Sequence, residues 1–259
     1  MGEAELVFER HGPAAVLTFN RPEQRNAMTW SMYEGLVKAC DEVDEDPDIR
    51  VFVLRGAGGK AFVAGTDINQ FRSFREPKDA LEYESRIEKV LTRLEDVRKP
   101  TIAAVTGYAV GGGLMIALAC DLRICTPDSR FGAPIARTLG NCLAFGNYAR
   151  LIDLIGPART MEIIYSARFV DAEEAYRIGL VNEVIPSDRF EQRLTELIKT
   201  IASHAPLTLA VTKQAVRRIQ RHRRPTGGED LIVTCYMSDD FREGVEAFLS
   251  KRQPIWRGR

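Results

Sequence analysis

The chain has 259 residues, 45% of them hydrophobic, so it can bury one large core or a core with a small appended region. Lys+Arg and Asp+Glu both number 36, which leaves no net field to draw a nucleic acid or an anionic membrane. The start, MGEAELVFER, has no basic segment leading into an apolar run, and no stretch approaches roughly 18 uninterrupted apolar residues, so neither export nor membrane insertion is expected.

Two strands open the chain, from Glu5 to Glu9 and from Ala15 to Phe19, joined at His11-Gly12-Pro13. From Thr29, a cap residue, apolar side chains recur at helical spacing (Met32, Leu36, Val37, Cys40, Val43) to about Glu45, and Asp46-Pro47-Asp48 ends that helix. A wholly apolar strand, Val51 to Leu54, follows, and the loop Gly56 to Gly59 then leads into Ala61-Phe62-Val63-Ala64-Gly65. A charged amphipathic helix covers Lys78 to Val97, and a buried strand runs from Thr101 to Thr106. Gly111-Gly112-Gly113 enters a short apolar helix, Leu114 to Cys120, after which Leu122 to Cys125 and Arg130 to Gly132 read as strands. Helix dominates from Leu143, and Ile201 to Gln220 with Gly228 to Ser250 forms a helical tail. The alternation implies an α/β fold with a core over residues 1–200 and a helical region over 201–259. The five cysteines (Cys40, Cys120, Cys125, Cys142, Cys235) are odd in number and lack the spacing of a metal site, which predicts reduced thiols, a cytoplasmic setting and no bound metal.

Two turns repeat one pattern: Ala64-Gly65-Thr66-Asp67 and Gly111-Gly112-Gly113 each follow a short apolar strand and each open a helix. Amides in a helix's first turn lack an intrahelical acceptor and carry the positive end of the helix dipole. Two of them aimed at one point form an oxyanion hole, which stabilises charge on a carbonyl oxygen. Neither GxxxxGK[ST] nor GxGxxG is present, so a nucleotide phosphate is not the expected ligand.

Asn20-Arg21-Pro22-Glu23-Gln24-Arg25-Asn26-Ala27, Ala61 to Ile68, and Gly107 to Gly113 followed by Cys120-Asp121 resemble, in order and separation, signature segments of the crotonase (enoyl-CoA hydratase/isomerase) superfamily. Gly156-Pro157-Ala158-Arg159 and Ala172 to Asn182 extend the likeness over essentially the whole chain. The resemblance implies a ClpP/crotonase spiral of ββα units, a helical C-terminal part used in a homotrimer or dimer of trimers, and an acyl-CoA thioester as substrate. Coenzyme A then enters with the substrate, and no tightly held cofactor is expected. It further implies that the backbone amides of Thr66 and Gly112 are the oxyanion donors, with little part for their side chains, and that Arg25, Ala27, Ala64, Asp67 and Ile68 run along the CoA moiety.

Hydratases that resemble this chain carry two glutamates as acid and base. The first position holds Met115, and the second, after Phe131-Gly132-Ala133-Pro134, holds Ile135 or Ala136. Neither side chain transfers a proton, which points to an isomerase, thioester hydrolase or lyase, or to a protein that only binds acyl-CoA. Cys142 stands where chlorobenzoyl-CoA dehalogenases carry a nucleophilic aspartate and is read either as a nucleophile or as an inert buried thiol. Arg137-Thr138 can meet an acyl carboxylate or a subunit interface. Glu82, Tyr83 and Glu84 lie on the helix that covers the acyl pocket in relatives, and helical spacing turns only one or two of them inward. The basic run Arg217 to Arg224 reads as a solvated helix face rather than an RNA site, and His11, His204 and His222 lie away from both turns.

Overall fold

A computed structural model describes residues 4–224 and 227–259. Among the described residues, ten strands and ten α-helices follow one another: β1 (Leu6–His11), β2 (Ala14–Phe19), α1 (Trp30–Glu45), β3 (Val51–Gly56), β4 (Ala61–Val63), α2 (Pro77–Glu95), β5 (Thr101–Val105), β6 (Tyr108–Val110), α3 (Gly112–Ala119), β7 (Leu122–Cys125), β8 (Arg130–Gly132), α4 (Ile135–Thr138), α5 (Phe145–Ser166), β9 (Val170–Asp171), α6 (Ala172–Arg177), β10 (Glu183–Val184), α7 (Phe190–Ser203), α8 (Pro206–Arg223), α9 (Glu229–Tyr236) and α10 (Asp239–Leu249).

Three ββ pairs, each followed by helix, generate the architecture. In every pair the first strand joins a six-stranded sheet of order β1-β2-β3-β5-β7-β10, and the second joins a four-stranded sheet of order β4-β6-β8-β9. The links β2-β3-β5-β7 and β4-β6-β8 are parallel, so the chain spirals between two layers and leaves the ends of β4, β6 and β8 on one edge. Strands buried on both faces read as continuous apolar runs, which is why Val51-Phe52-Val53-Leu54 lacks alternation.

The glycines of α3 are a packing requirement. A Cβ on Gly113 would lie 2.0 Å from the Val63 carbonyl oxygen, so only glycine lets α3 start against the end of β4. Gly111, at φ +54°, turns the chain from β6 into α3.

In the tail, the segment read as one helix from Ile201 to Gln220 is two. The chain breaks at His204-Ala205, and Pro206 starts α8 because proline has no amide to donate. Helix α8 is held to the core by ion pairs from Lys213 to Asp121 (2.7 Å) and from Arg217 and Arg224 to Glu95 (3.4 and 2.9 Å). Burial pushes the Glu95 carboxyl up, but its arginine partners Arg224 and Arg150 prevail and hold it at about 2.

Asn26 pins the loop before α1. It is wholly buried at φ +58°, its Oδ1 accepts from the Arg21 amide (2.9 Å), and its Nδ2 donates to the carbonyls of Ala57 (3.0 Å) and Ala61 (2.8 Å). Replacing it with alanine strands those three backbone groups, the Ala61 carbonyl among them in the buried interior, and leaves a Cβ-bearing residue without local hydrogen bonding in the left-handed region. Asn26→Ala is expected to lose about 3 kcal/mol, a fall of roughly 6 to 12 °C in Tm, measured by urea and thermal unfolding.

Candidate active site

The edge where β4, β6 and β8 end opens into a cavity of about 460 Å³. Parallel pairing is what gathers its wall. Ala64-Gly65-Thr66 follows β4, Gly111-Gly112 follows β6, and Pro134-Ile135 follows β8, so three separate turns line one hollow.

Thr66 and Gly112 are neighbours. A Cβ built on Gly112 would lie 3.8 Å from the Thr66 nitrogen and 3.1 Å from Thr66 Oγ1. Around Thr66 the backbone pairs with Met28: the Met28 amide donates to the Gly65 carbonyl (2.9 Å), and the Asp67 amide donates to the Met28 carbonyl (2.9 Å). In a parallel bridge those bonds use the groups on either side of Thr66, whose own N–H faces the opposite way. Gly112 is the first residue of α3, so its N–H has no acceptor within the helix.

Met115 and Ile135 both line the cavity and are 2% and 7% exposed, whereas Ala136 lies at the surface. Met115 and Ile135 therefore present a thioether and an alkyl group to the cavity. Arg137 is exposed, its guanidinium 6.0 Å from the Phe169 ring, and it does not reach the cavity. Thr138 does, but its hydroxyl is spent on the Pro134 carbonyl (2.9 Å). Surface exposure wins over acyl recognition for that arginine because the single turn of α4 directs it outward.

The buried carboxylate in the cavity comes from α2. Glu84 and Tyr83 face inward, while Glu82 lies outside with its carboxylate 3.5 Å from Lys78. Glu84 is 7% exposed and accepts a hydrogen bond from the Tyr236 hydroxyl, which in turn accepts one from Asn141 Nδ2 (3.2 Å). Burial, opposed by the Tyr236 hydrogen bond, pushes the Glu84 carboxyl up to about 7. It can therefore both take and return a proton near neutral pH.

Cys142 lines the cavity as a buried thiol whose Sγ donates to the Leu231 carbonyl at 3.7 Å. Contact with the Cys235 thiol, together with burial, holds it well above the ordinary range, so it is a neutral thiol rather than a thiolate. Arg25, Ala27, Ala64, Asp67 and Ile68 lie along one wall. Arg25 is exposed, 6.0 Å from the Tyr108 ring, while Asp67 spends an oxygen on the Asn69 amide (3.1 Å) and caps the turn that follows.

Tyr33, Asn141 and Tyr236 were not singled out by sequence reasoning, nor were Phe248 and Leu249, which also line the cavity. Tyr33 reads as one more core aromatic of α1. Tyr236, Phe248 and Leu249 belong to the helical tail, where no sequence signal ties them to a site 150 residues earlier.

The chain belongs to the enoyl-CoA hydratase/isomerase family, whose model matches residues 9–259. It is an acyl-CoA-processing enzyme of that family. The short-chain-enoyl-CoA hydratase of Clostridium acetobutylicum is 34% identical over 96% of this chain and 95% of its own, and the 2,3-dehydroadipyl-CoA hydratase of Escherichia coli is 34% identical over 99% and 100%. Among solved structures, an enoyl-CoA hydratase/carnithine racemase from Magnetospirillum magneticum is 33% identical with a TM-score of 0.81, covering 100% of this chain and 97% of its own. A methylmalonyl-CoA decarboxylase in complex with 2-nitronate-propionyl-CoA is 26% identical with a TM-score of 0.90 over 100% of both chains.

The raised Glu84 carboxyl makes stability depend on pH. In the unfolded chain the group ionises near 4.5, and in the folded chain near 7, so the fold is penalised progressively as pH rises through that window. The full penalty is about 3 kcal/mol. Glu84→Gln should therefore gain about 2.5 kcal/mol over the wild type between pH 5 and pH 8.5, seen in urea unfolding at the two pH values. An equal difference at both would remove the assignment of a raised carboxyl.

Proposed function

We propose that the amides of Thr66 and Gly112 receive the thioester oxygen of an acyl-CoA and that Glu84 moves a single proton on the acyl group. The observation that carries this reading is the meeting of the two turns beside a cavity holding one buried carboxylate. Polarising the thioester acidifies the α and, in an unsaturated chain, the γ carbon, and enolate charge then rests on an oxygen held by two donors. Syn hydration needs one group to deliver water and another to protonate carbon, and Met115 and Ile135 can do neither. A single buried carboxylate near neutrality suits removal of a proton from one carbon and its return to another. Double-bond isomerisation of an enoyl-CoA is thus the reaction this site fits best, ahead of hydration, thioester hydrolysis or lyase chemistry.

Arg25, Ala27, Ala64, Asp67 and Ile68 would line the path of the CoA moiety, which arrives with the substrate, with Arg25 at the mouth for a phosphate. A homotrimer or dimer of trimers fits the exposed apolar side chains Leu207, Val211 and Ile219 on α8 and Met161 and Tyr165 on α5. A cytoplasmic setting fits five cysteines that are all free thiols.

Incubation with a 3-enoyl-CoA should raise the absorbance of the conjugated thioester, and crotonyl-CoA should be hydrated far more slowly. Glu84→Gln should lower isomerisation by roughly 10²- to 10⁴-fold. The wild-type rate should climb through a pH near 7, where Glu84 loses its proton. Rapid crotonyl-CoA hydration that persists in Glu84→Gln would refute this role.

A further inference from the structure

Three hydroxyls meet beside the two turns. Tyr33 on α1 and Tyr83 on α2 both place their phenol oxygen on Thr66 Oγ1, at 2.8 and 3.1 Å. A Cβ on Gly112 would lie 2.8 Å from the Tyr33 oxygen, so this cluster sits against the same first turn of α3 that supplies the Gly112 amide.

In the Tyr83–Thr66 pair the phenol is the donor; in the Tyr33–Thr66 pair either oxygen can donate, and one arrangement has both phenols donating. Each tyrosine is buried, and among the described residues each has Thr66 as its hydroxyl's hydrogen-bond partner. Burial holds both phenols above their ordinary range, so they remain protonated donors. A threonine hydroxyl has two acceptor sites and one proton. When both phenols donate, both acceptor sites of Thr66 are filled, and its own proton is left for an acceptor in the cavity that Thr66 lines.

The geometry points to the Thr66 hydroxyl as a third donor to the thioester oxygen, set in place by Tyr33 and Tyr83 as positioning residues. This rests on the reading that the Thr66 and Gly112 amides receive that oxygen. It gives the side chain at position 66 a role beyond its backbone: a donor with no remaining acceptor capacity favours an oxygen that gains negative charge over any ligand group that must donate. The rings keep that orientation without substrate, because they are packed against Trp30 and Phe71 at ring separations of 5.8 and 5.0 Å.

The test compares Thr66→Val, which keeps shape and backbone amide, with Thr66→Ser, which keeps the hydroxyl. The probe is crotonyl-CoA labelled with ¹³C at the carbonyl, and the readout is its stretching frequency when bound, by infrared difference spectroscopy, alongside kcat and KM for a 3-enoyl-CoA. Wild type should shift the stretch to lower frequency. Thr66→Val should lose part of that shift while the two amides retain the rest, with kcat down by roughly 10- to 100-fold and KM within about threefold. Thr66→Ser should recover most of both. Tyr33→Phe and Tyr83→Phe should each lose part of the shift but change nothing further in the Thr66→Val background, because they act through that hydroxyl. If stranded phenol protons unfold Thr66→Val, the triple variant with both phenylalanines removes them and carries the same expectation. A Thr66→Val or triple variant with the wild-type frequency and kcat would overturn the third donor. No shift in the wild type would instead overturn the underlying oxyanion reading.

Discussion

Parallel pairing of β4, β6 and β8 is the constraint from which the site follows. Because the three strands run the same way side by side, the turns that leave them must emerge on one edge, whatever their residues. The sequence between those turns is long, from Thr66 to Gly112 to Ile135, but the sheet removes that distance. Glycine then sets how close they come: α3 can abut the end of β4 only while position 113 has no side chain to meet the Val63 carbonyl. Backbone amides placed in this way owe their direction to secondary structure and need no reorganisation when charge appears on a ligand.

The cavity divides its work between two kinds of polar group. Near the glycine turns are amides and hydroxyls that never ionise in the working range. On α2, opposite the apolar Met115 and Ile135, is one carboxylate whose charge is balanced on a fine margin. Burial raises Glu84, and the Tyr236 hydrogen bond limits how far, so the group stays within reach of neutrality rather than locked in its acid form.

Much of this was legible in the residues. The glycine turns, the strands before them, the capped start of α1 and the inward face of α2 all follow from local patterns, since caps, apolar runs and helical spacing are short-range signals. The resemblance of three spaced segments to one family supplied the spiral, which periodicity alone does not encode. Other features stayed hidden because they depend on contacts between distant parts of the chain. Nothing near residue 236 announces that its phenol meets Glu84, 152 positions earlier. Whether Ile135 or Ala136 faces the cavity was open in the sequence and is decided by the single turn of α4. The break at Pro206 was readable, since a proline that cannot donate an amide is a strong stop, but the tail reads only as helical from Ile201 to Gln220.

The bond between Glu84 and Tyr236 also has a temporal meaning. During synthesis both sheets and all three turns can be complete while α9 and α10 have yet to leave the ribosome, and at that stage the cavity lacks the wall they supply and the Glu84 carboxyl lacks its phenol partner. Such a nascent intermediate would show an ordinary acid rather than a poised one. Closing a loop of this length is entropically slow and comes late. Chemical competence would thus be switched on by the final stage of folding, after the scaffold that presents the substrate is already built.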